Sequence, residues 1–289
     1  MSRLLSIFSC KKNISKKKCI KDYYDLEKVL GEPGSYGKVF LGIDIVTEVK
    51  VAVKRIDCCK YDANEVQILE SIQHPNIIQY INCISTDKHV FIITEKCDGD
   101  LFDLLTEKDT QRLSEIEAIT IITHILEALI YLHDLNIAHC DLKLSNIVFT
   151  KTPDLKVKLI DFGSAQKLRN PSKMLHKSVG SIGFMAPELI IGSYNTLCDL
   201  WSVGCITFIL LFGFNPFNPT SSSNINLVHQ STLRGFCSEV RKGYGSFFPQ
   251  NIPTSKEAMD FISNLLVLNW KDRMTAQESL NHPWLQRKL

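Results

Sequence analysis

Two kinds of hydrophobic patterning divide this chain. From Tyr24 to Ile93, the short runs DLEKVL, GKVFLGID, VKVAVKRI, NCIST and HVFIITE alternate valine and isoleucine with polar residues, as half-exposed antiparallel strands require. One stretch, ANEVQILESI, breaks that rhythm, and there Val66, Leu69 and Ile72 recur at helical spacing. From Leu101 onward the period turns helical. SEIEAITIITHILEALIYLHDL opens on Ser114 and Glu117, the pair of a capping box, and carries apolar residues around one broad face. The longest apolar run, VGCITFILLFGF at 203–214, is about half the length needed to span a bilayer and predicts a buried central helix. The expected fold is therefore α+β and bilobal: a small antiparallel sheet with one main helix, about 23–95, then a larger, mainly helical lobe, about 100–285. The hinge is expected near Glu95 to Gly99, with 286–289 a short C-terminal end.

Composition changes this picture at one end. The chain has 289 residues, is 45% hydrophobic and 22% charged, and reads as an ordinary globular protein with a substantial core. Its net charge of +2 is unevenly placed. Residues 1–21 hold Arg3, Lys11, Lys12, Lys16, Lys17, Lys18 and Lys21 with no acid, which leaves the remainder mildly acidic. That body offers no basic surface for nucleic acid, so none is expected as a partner. Residues 1–22 are expected to form a basic, disordered tail. A second reading joins Leu4 to Phe8, Cys10 and the lysines into a weak membrane anchor with acylation of Cys10, and a nuclear-import signal stays open. The ten cysteines show no Cys-x-x-Cys pair or accompanying histidines, which argues against a disulfide framework or zinc site. Reduced thiols in a cytoplasmic monomer are the expectation.

The candidate chemistry lies in AHCDLKLSNIVF, 138–149, followed by LIDFG, 159–163. Asp141 can accept a proton from an incoming hydroxyl, and Lys143 can balance charge on a transferring phosphoryl group. Asn146 and Asp161 are oxygen donors suited to Mg²⁺. Upstream, GEPGSYGKVF at 31–40 is a glycine-rich turn between strands, and glycines let backbone N–H groups approach phosphate oxygens. Val51-Ala52-Val53-Lys54 follows, a strand with one lysine in an otherwise apolar run. Read singly, the turn is only a turn and the lysine only a solvent-facing cation.

Taken in order, these blocks resemble the eukaryotic protein-kinase family of Ser/Thr type. Ala186-Pro187-Glu188, DLWSVG at 199–204 and KDRMTAQESLNHPWL at 271–285 extend the resemblance over about 260 residues, and the closing blocks are most similar to the calcium/calmodulin-dependent branch. The resemblance implies ATP and Mg²⁺ as cofactors and protein substrates with Ser or Thr acceptors. It places Gly34 and Gly37 over the phosphates, and Lys54 against the α- and β-phosphates, held by Glu65 with Glu70 a competitor. Adenine would lie against Val39, Ala52 and Val148, with backbone bonds at Glu95 and Cys97 and Thr94 as gatekeeper. Asp100 would serve the ribose or a substrate base. Asp141 would be the catalytic base beside Lys143 and Ser181, with Asn146 and Asp161 on the metal. Glu188 would pair with Arg273, and Asp199 would bond the catalytic-loop backbone.

Four departures from the family pattern stand out. Gly31 sits one residue early, with Pro33 inserted. Cys140 occupies the place of the arginine in His-Arg-Asp. Leu144 and Ser145 replace a common Pro-Glu. Ten residues separate Lys54 from Glu65, so the connection before the helix is cropped. None removes a group that does chemistry. The expected function is transfer of the ATP γ-phosphoryl group to protein hydroxyls; the alternative is a pseudokinase scaffold that binds nucleotide or partners without turnover.

Overall fold

The computed structural model describes residues 19–34, 37–151, 154–168, 180–217 and 247–287. The tail before Cys19, Ser172, Ser178 and the loop at 220–224 lie outside the described residues. The described chain forms two compact units: Met1–Tyr61 with Ile81–Lys96, and Asp62–Tyr80 with Cys97–Leu289.

In the first unit, strands β1 (Tyr24–Gly34), β2 (Gly37–Asp44), β3 (Lys50–Asp57), β4 (Tyr80–Ser85) and β5 (His89–Glu95) form one sheet in the order β1-β2-β3-β5-β4. Alternation decides which face is buried. Val51 and Val53 of β3 join Ile20, Tyr24, Ile84, Phe91 and Ile93 in a core cluster, with Leu26 and Phe40 packed against it. The opposite face of β3 carries Ala52 and Lys54, both half-buried. The inserted residue near Pro33 is absorbed as an irregularity in the ladder. Leu30 pairs with Val39 and Gly34 with Gly37, so four steps on β1 oppose two on β2.

The second unit begins with α1 (Asn64–Ser71), and the reason it groups with the helices is visible in the loop that follows. That loop is sewn to β9 (Lys156–Leu159): Leu159 N donates to Asn76 O at 2.9 Å, Ile78 N to Leu159 O at 3.0 Å, and Asn76 Nδ2 to Val157 O at 3.0 Å. The strand pattern of the sequence shows where α1 lies but not these bonds. After β6 (Gly99–Asp100) come α2 (Leu101–Thr106) and α3 (Glu115–Asp134), which starts on the capping box of Ser114 and Glu117. By length and composition alone α3 could cross a membrane, yet nine of its residues are buried in the protein, where it packs on α5 (Cys198–Phe212). Every residue of α5 is buried, as the run at 203–214 predicts. Short strands β7 (Ile137–Ala138) and β10 (Gln166–Lys167) pair, and β8 (Ile147–Thr150) lies between β6 and β9. Helices α4 (Pro187–Ile191), α6 (Lys256–Leu265) and α7 (Ala276–Leu280) complete the described unit.

One ion pair locks α4 to the chain just before α7. Arg273, 3% exposed, bonds Glu188 through both terminal nitrogens, with Nη2 3.0 Å from Oε2. Its remaining donors reach the carbonyls of Leu197 and Val267 at 2.8 and 2.9 Å, and its guanidinium lies 5.4 Å from the Trp201 ring centre. Every strong donor is used, which is the condition under which a buried pair holds a structure together. Arg273→Ala would leave Glu188 buried and uncompensated. The expected loss is about 3–5 kcal/mol of unfolding free energy, read from urea denaturation of the purified chain.

Candidate active site

The second unit assembles its chemistry at one end of the β8–β9 hairpin. Ile147 pairs with Leu159, so Asn146, just before β8, and Asp161, just after β9, come to the same end. The backbone tightens this, since Ile160 N donates to Asn146 O at 3.0 Å. Asn146 in turn holds the catalytic loop. Its Nδ2 donates to Asp141 O at 2.7 Å and to Asp141 Oδ2 at 3.1 Å. With the amide nitrogen so committed, the side-chain oxygen is the atom Asn146 can offer a cation. Lys143 Nζ lies 3.5 Å from Asp141 Oδ2 and donates to Ser181 Oγ at 2.9 Å. The expected neighbours Asp141, Lys143, Asn146 and Ser181 are thus brought together.

Asp141 is itself the most informative group. It is buried, Oδ2 is oriented by Asn146 and Lys143, and Oδ1 is buried with no hydrogen-bond partner among the described residues. Leaving such an atom unbonded costs about 1–3 kcal/mol, which an entering donor would recover. Asp161 sits at φ 61, ψ 75, the left-handed region that a non-glycine residue adopts only when its surroundings compel it, and its Oδ1 accepts from Gly163 N at 3.4 Å. Cys140, at φ 66, shares that conformation.

What compels Cys140 is Asp199, at the start of α5. Its carboxylate is 1% exposed and accepts three strong bonds: His139 N at 2.9 Å, Cys140 N at 2.9 Å and His133 Nε2 at 2.9 Å. Burial alone would raise its pKa, but the His133 bond and charge, then His139, outweigh burial and hold it below the usual carboxylate range. Gly180 meets the same loop from the other side. It sits at φ 110, where a Cβ would come 2.9 Å from the Cys140 carbonyl oxygen.

Two residues beyond the sequence expectations also hold the site. His139 accepts from Asp141 N at Nδ1, 3.3 Å, which leaves Nε2 to carry the proton and donate to Ile160 O at 2.9 Å. Its ring rests on Phe162 with centroids 5.0 Å apart, so one imidazole joins the residues before Asp141 and Asp161. Asn64, at the start of α1, donates from Nδ2 to Ala165 O at 2.8 Å, and α1 packs on the turn Phe162–Ser164. The position of His139 two residues before Asp141 was a usable signal; a lone helix-start asparagine was not.

The remaining expected residues fall as follows. In the first unit, Lys54 lies opposite Val39 on β2 and Ile92 on β5, while Ala52 lies opposite Leu41 and Thr94. Directly opposed residues share a sheet face, so Val39, Ala52, Lys54 and Thr94 line one face together. Glu95 closes β5 opposite Val51. Gly34 pairs with Gly37, and a Cβ at Gly37 would overlap the Arg55 carbonyl oxygen, so β2–β3 pairing itself demands glycine there. In the second unit, Glu65 is buried, whereas Glu70 is exposed and accepts from the Tyr80 hydroxyl at 3.1 Å. Cys97 is buried, and Val148 pairs with Asp100 across β6 and β8. Asp100 caps α2, with Oδ1 accepting from Asp103 N at 2.9 Å, a structural duty absent from the sequence expectation. Burial, ahead of the cap bonds, shifts its pKa upward.

The family model for the protein kinase domain matches residues 24–285. Serine/threonine-protein kinase D2 of Homo sapiens is 35% identical over 269 residues, 90% of this chain and 29% of that protein. Serine/threonine-protein kinase dkf-2 of Caenorhabditis briggsae is 34% identical over 271 residues, 90% of this chain and 21% of its own. Calcium-dependent protein kinase 3 of Plasmodium berghei (strain Anka) is 32% identical over 280 residues, 93% of this chain and 48% of that protein. The chain belongs to the protein kinase domain family, and it spans less than half the length of each of these relatives. The α+β fold described above is the fold of that family.

Asp199→Asn tests the anchoring of the catalytic loop. The substituted amide brings two donors to a place where backbone N–H groups already donate, so the cost is expected at about 3 kcal/mol or more. The sign of the pH dependence follows from the lowered pKa. Asp199 contributes stability that is complete above the unfolded carboxylate value near ~3.9 and is lost as pH falls through its lower folded value. In thermal melts below about pH 4, the parent should lose stability and the Asn variant should lose less.

Proposed function

We propose that this chain is an active protein serine/threonine kinase, transferring the γ-phosphoryl group of ATP to a protein hydroxyl. The observation that supports this reading best is the Asp141 carboxylate: fixed at Oδ2, buried, and holding Oδ1 without a partner. A substrate hydroxyl donating to Oδ1 satisfies that atom and is aligned for in-line attack. Lys143, already between Asp141 and Ser181, holds positive charge where the transferring group needs it.

Mg²⁺ and ATP fit the donor set. Among the described residues no three His, Cys, Asp or Glu side chains form a cluster able to hold a metal. A Mg²⁺ ion that arrives with nucleotide phosphates needs only one or two protein ligands, and Asn146 and Asp161 supply them. Bound there, the metal would neutralise charge on the β- and γ-phosphates. Lys54 would orient the α- and β-phosphates, supported by Glu65, with Gly34 and Gly37 admitting phosphate oxygens. Val39, Ala52 and Val148 would contact adenine, Glu95 and Cys97 would bond it through the backbone, and Asp100 would serve the ribose. Positioning and charge neutralisation then supply most of the acceleration.

Asp161→Asn should leave the fold intact and lower turnover at least about 10²-fold, the scale of removing one preorganised electrostatic group. The measurement is radiolabelled ATP transfer to a generic protein substrate. Turnover within twofold of the parent would rule out this assignment of Asp161.

Regulation follows from Cys140. The family's arginine at this place reads a phosphate on the activation segment. Bonding to Cys198 favours the Cys140 thiolate, but burial and the charge of Asp199 prevail and push its pKa up, so the group is a neutral thiol. It can form no charge-assisted pair with a phosphate. We expect activity that does not depend on phosphorylation of this segment. Phosphatase-treated enzyme, and the variant with Ser172→Ala and Ser178→Ala, should each keep most of the rate. A tenfold drop in either, about 1.4 kcal/mol in barrier, would mean another cation has taken the arginine's place.

A further inference from the structure

The sheet of the first unit carries a charge conflict that phosphoryl transfer does not use. Lys38 on β2 stands directly opposite Arg55 on β3, so both side chains leave one face with Cβ atoms about 5 Å apart. Like charges set directly opposite destabilise a strand pair. The register imposes the conflict. Phe40, two positions past Lys38, lies opposite Val53 and packs on the core cluster, so a slip of one residue would turn Phe40 out of the core. Among the described residues, neither base forms a side-chain hydrogen bond or ion pair. Arg55 is half-buried, with its guanidinium carbon 5.0 Å from the Phe40 ring centre and Phe91 directly opposite it on β5. The acid next along this face is Asp57, which lies opposite His89, its Oδ1 3.4 Å from Nε2, and bonds neither base. Glu27 with Lys28, and Asp87 with Lys88, are adjacent opposite charges, so the face keeps a positive balance.

Two bases held face to face suit a dianion between them. We propose that Lys38 and Arg55 bind a phosphorylated residue of a polypeptide. A phosphomonoester carries about −1.5 to −2 charges at pH 7 and three acceptor oxygens, enough to answer both cations. A carboxylate or a phosphodiester brings a single charge and would leave one base opposed. Arg55 offers the planar fork that matches two phosphate oxygens, and the Phe40 ring steadies it, while Lys38 adds a point charge from across the strand pair. The neighbouring row decides what carries the phosphate. Val29, 45% exposed, lies directly opposite Phe40, which places an apolar contact one row from the bases. Inorganic phosphate has nothing to set there, whereas a polypeptide brings a side chain beside its phosphorylated residue.

Fluorescence anisotropy of the full chain tests the proposal with a short labelled peptide whose central phosphoserine is flanked by leucines. Its serine counterpart, inorganic phosphate and single-stranded DNA serve as competitors. Binding is measured without ATP, so the outcome is independent of the kinase reading. The phosphopeptide is expected to bind at least about tenfold more tightly than the serine peptide, the scale of one charge-assisted bond. Its affinity should fall as salt screens the bases. Arg55→Gln and Lys38→Gln should each weaken it at least about tenfold. Thermal melts add a readout that a merely structural role does not share. Relief of the repulsion should let Lys38→Gln melt above the parent without peptide, and the phosphopeptide should raise the melting temperature of the parent alone. Undiminished phosphopeptide binding in both variants, as expected if it enters the catalytic site, would overturn the proposal. So would a Lys38→Gln chain that melts below the parent, or equal binding of the serine peptide. Inorganic phosphate competing as well as the phosphopeptide, or DNA competing better, would overturn the polypeptide as occupant.

Discussion

The second unit depends on a buried negative charge. Asp199 stands at the head of a helix with no exposed residue, where an isolated carboxylate would be prohibitively costly. Three donors convert that cost into a constraint, and two of them are the successive backbone N–H groups of His139 and Cys140. Two adjacent amides can reach one carboxylate only if the chain bends sharply there, and the bend is the positive φ of Cys140. Asp141 follows at once, so its direction is inherited from α5 through the backbone. The catalytic loop is shaped by the core of the helical unit rather than by its own local preferences.

That arrangement explains why a thiol can stand at position 140. Cys140, Cys198 and the Tyr194 phenol lie together in the interior, and burial shifts all three toward their neutral forms. For Cys198 the bond to Cys140 acts in the same direction, ahead of burial. Neutral groups are what the buried Asp199 charge tolerates as neighbours, since a second anion would raise the energy of both. A family member with arginine here needs a negative partner to complete the site. In this chain the contacts near the loop are neutral: Gly180 lies against the Cys140 carbonyl, and Asn64 reaches the Ala165 backbone.

The sequence exposed much of this architecture because its strongest signals are local. The capping box at Ser114 and Glu117, the valine alternation of β3 and the apolar run of α5 each need only neighbours within a few positions to be read. The partnership of Glu188 with Arg273, and that of Asp199 with the catalytic loop, came instead from the family resemblance, and the structure supplies both geometries. Three features were hidden for a common reason. The attachment of the α1 loop to β9, the Asn64–Ala165 bond and the His139 bridge to Ile160 all join residues far apart in sequence through a few polar contacts. Periodicity carries no trace of them. Asp100 shows the opposite limit, where a residue read for ligand chemistry also caps a helix, and one short side chain serves a local need that a motif does not reveal.

Most polar groups around the catalytic loop are bonded, which sets the Asp141 carboxylate apart from its immediate neighbours. Asp199 is saturated, His139 uses both ring nitrogens, and Asn146 spends its amide hydrogens on Asp141. Among the described residues Asp141 Oδ1 is left without a partner, as is the Tyr194 hydroxyl. A buried acceptor of this kind is unstable in isolation: the chain could relieve it by a small rotation that brings Oδ1 to a donor or to water. Asn146 and Lys143 block that rotation by gripping Oδ2, and the loop cannot shift because Asp199 holds its backbone. The unfavourable atom is thus maintained by the rigidity of everything near it. In the proposed reading, that rigidity is what keeps Oδ1 open to an entering hydroxyl.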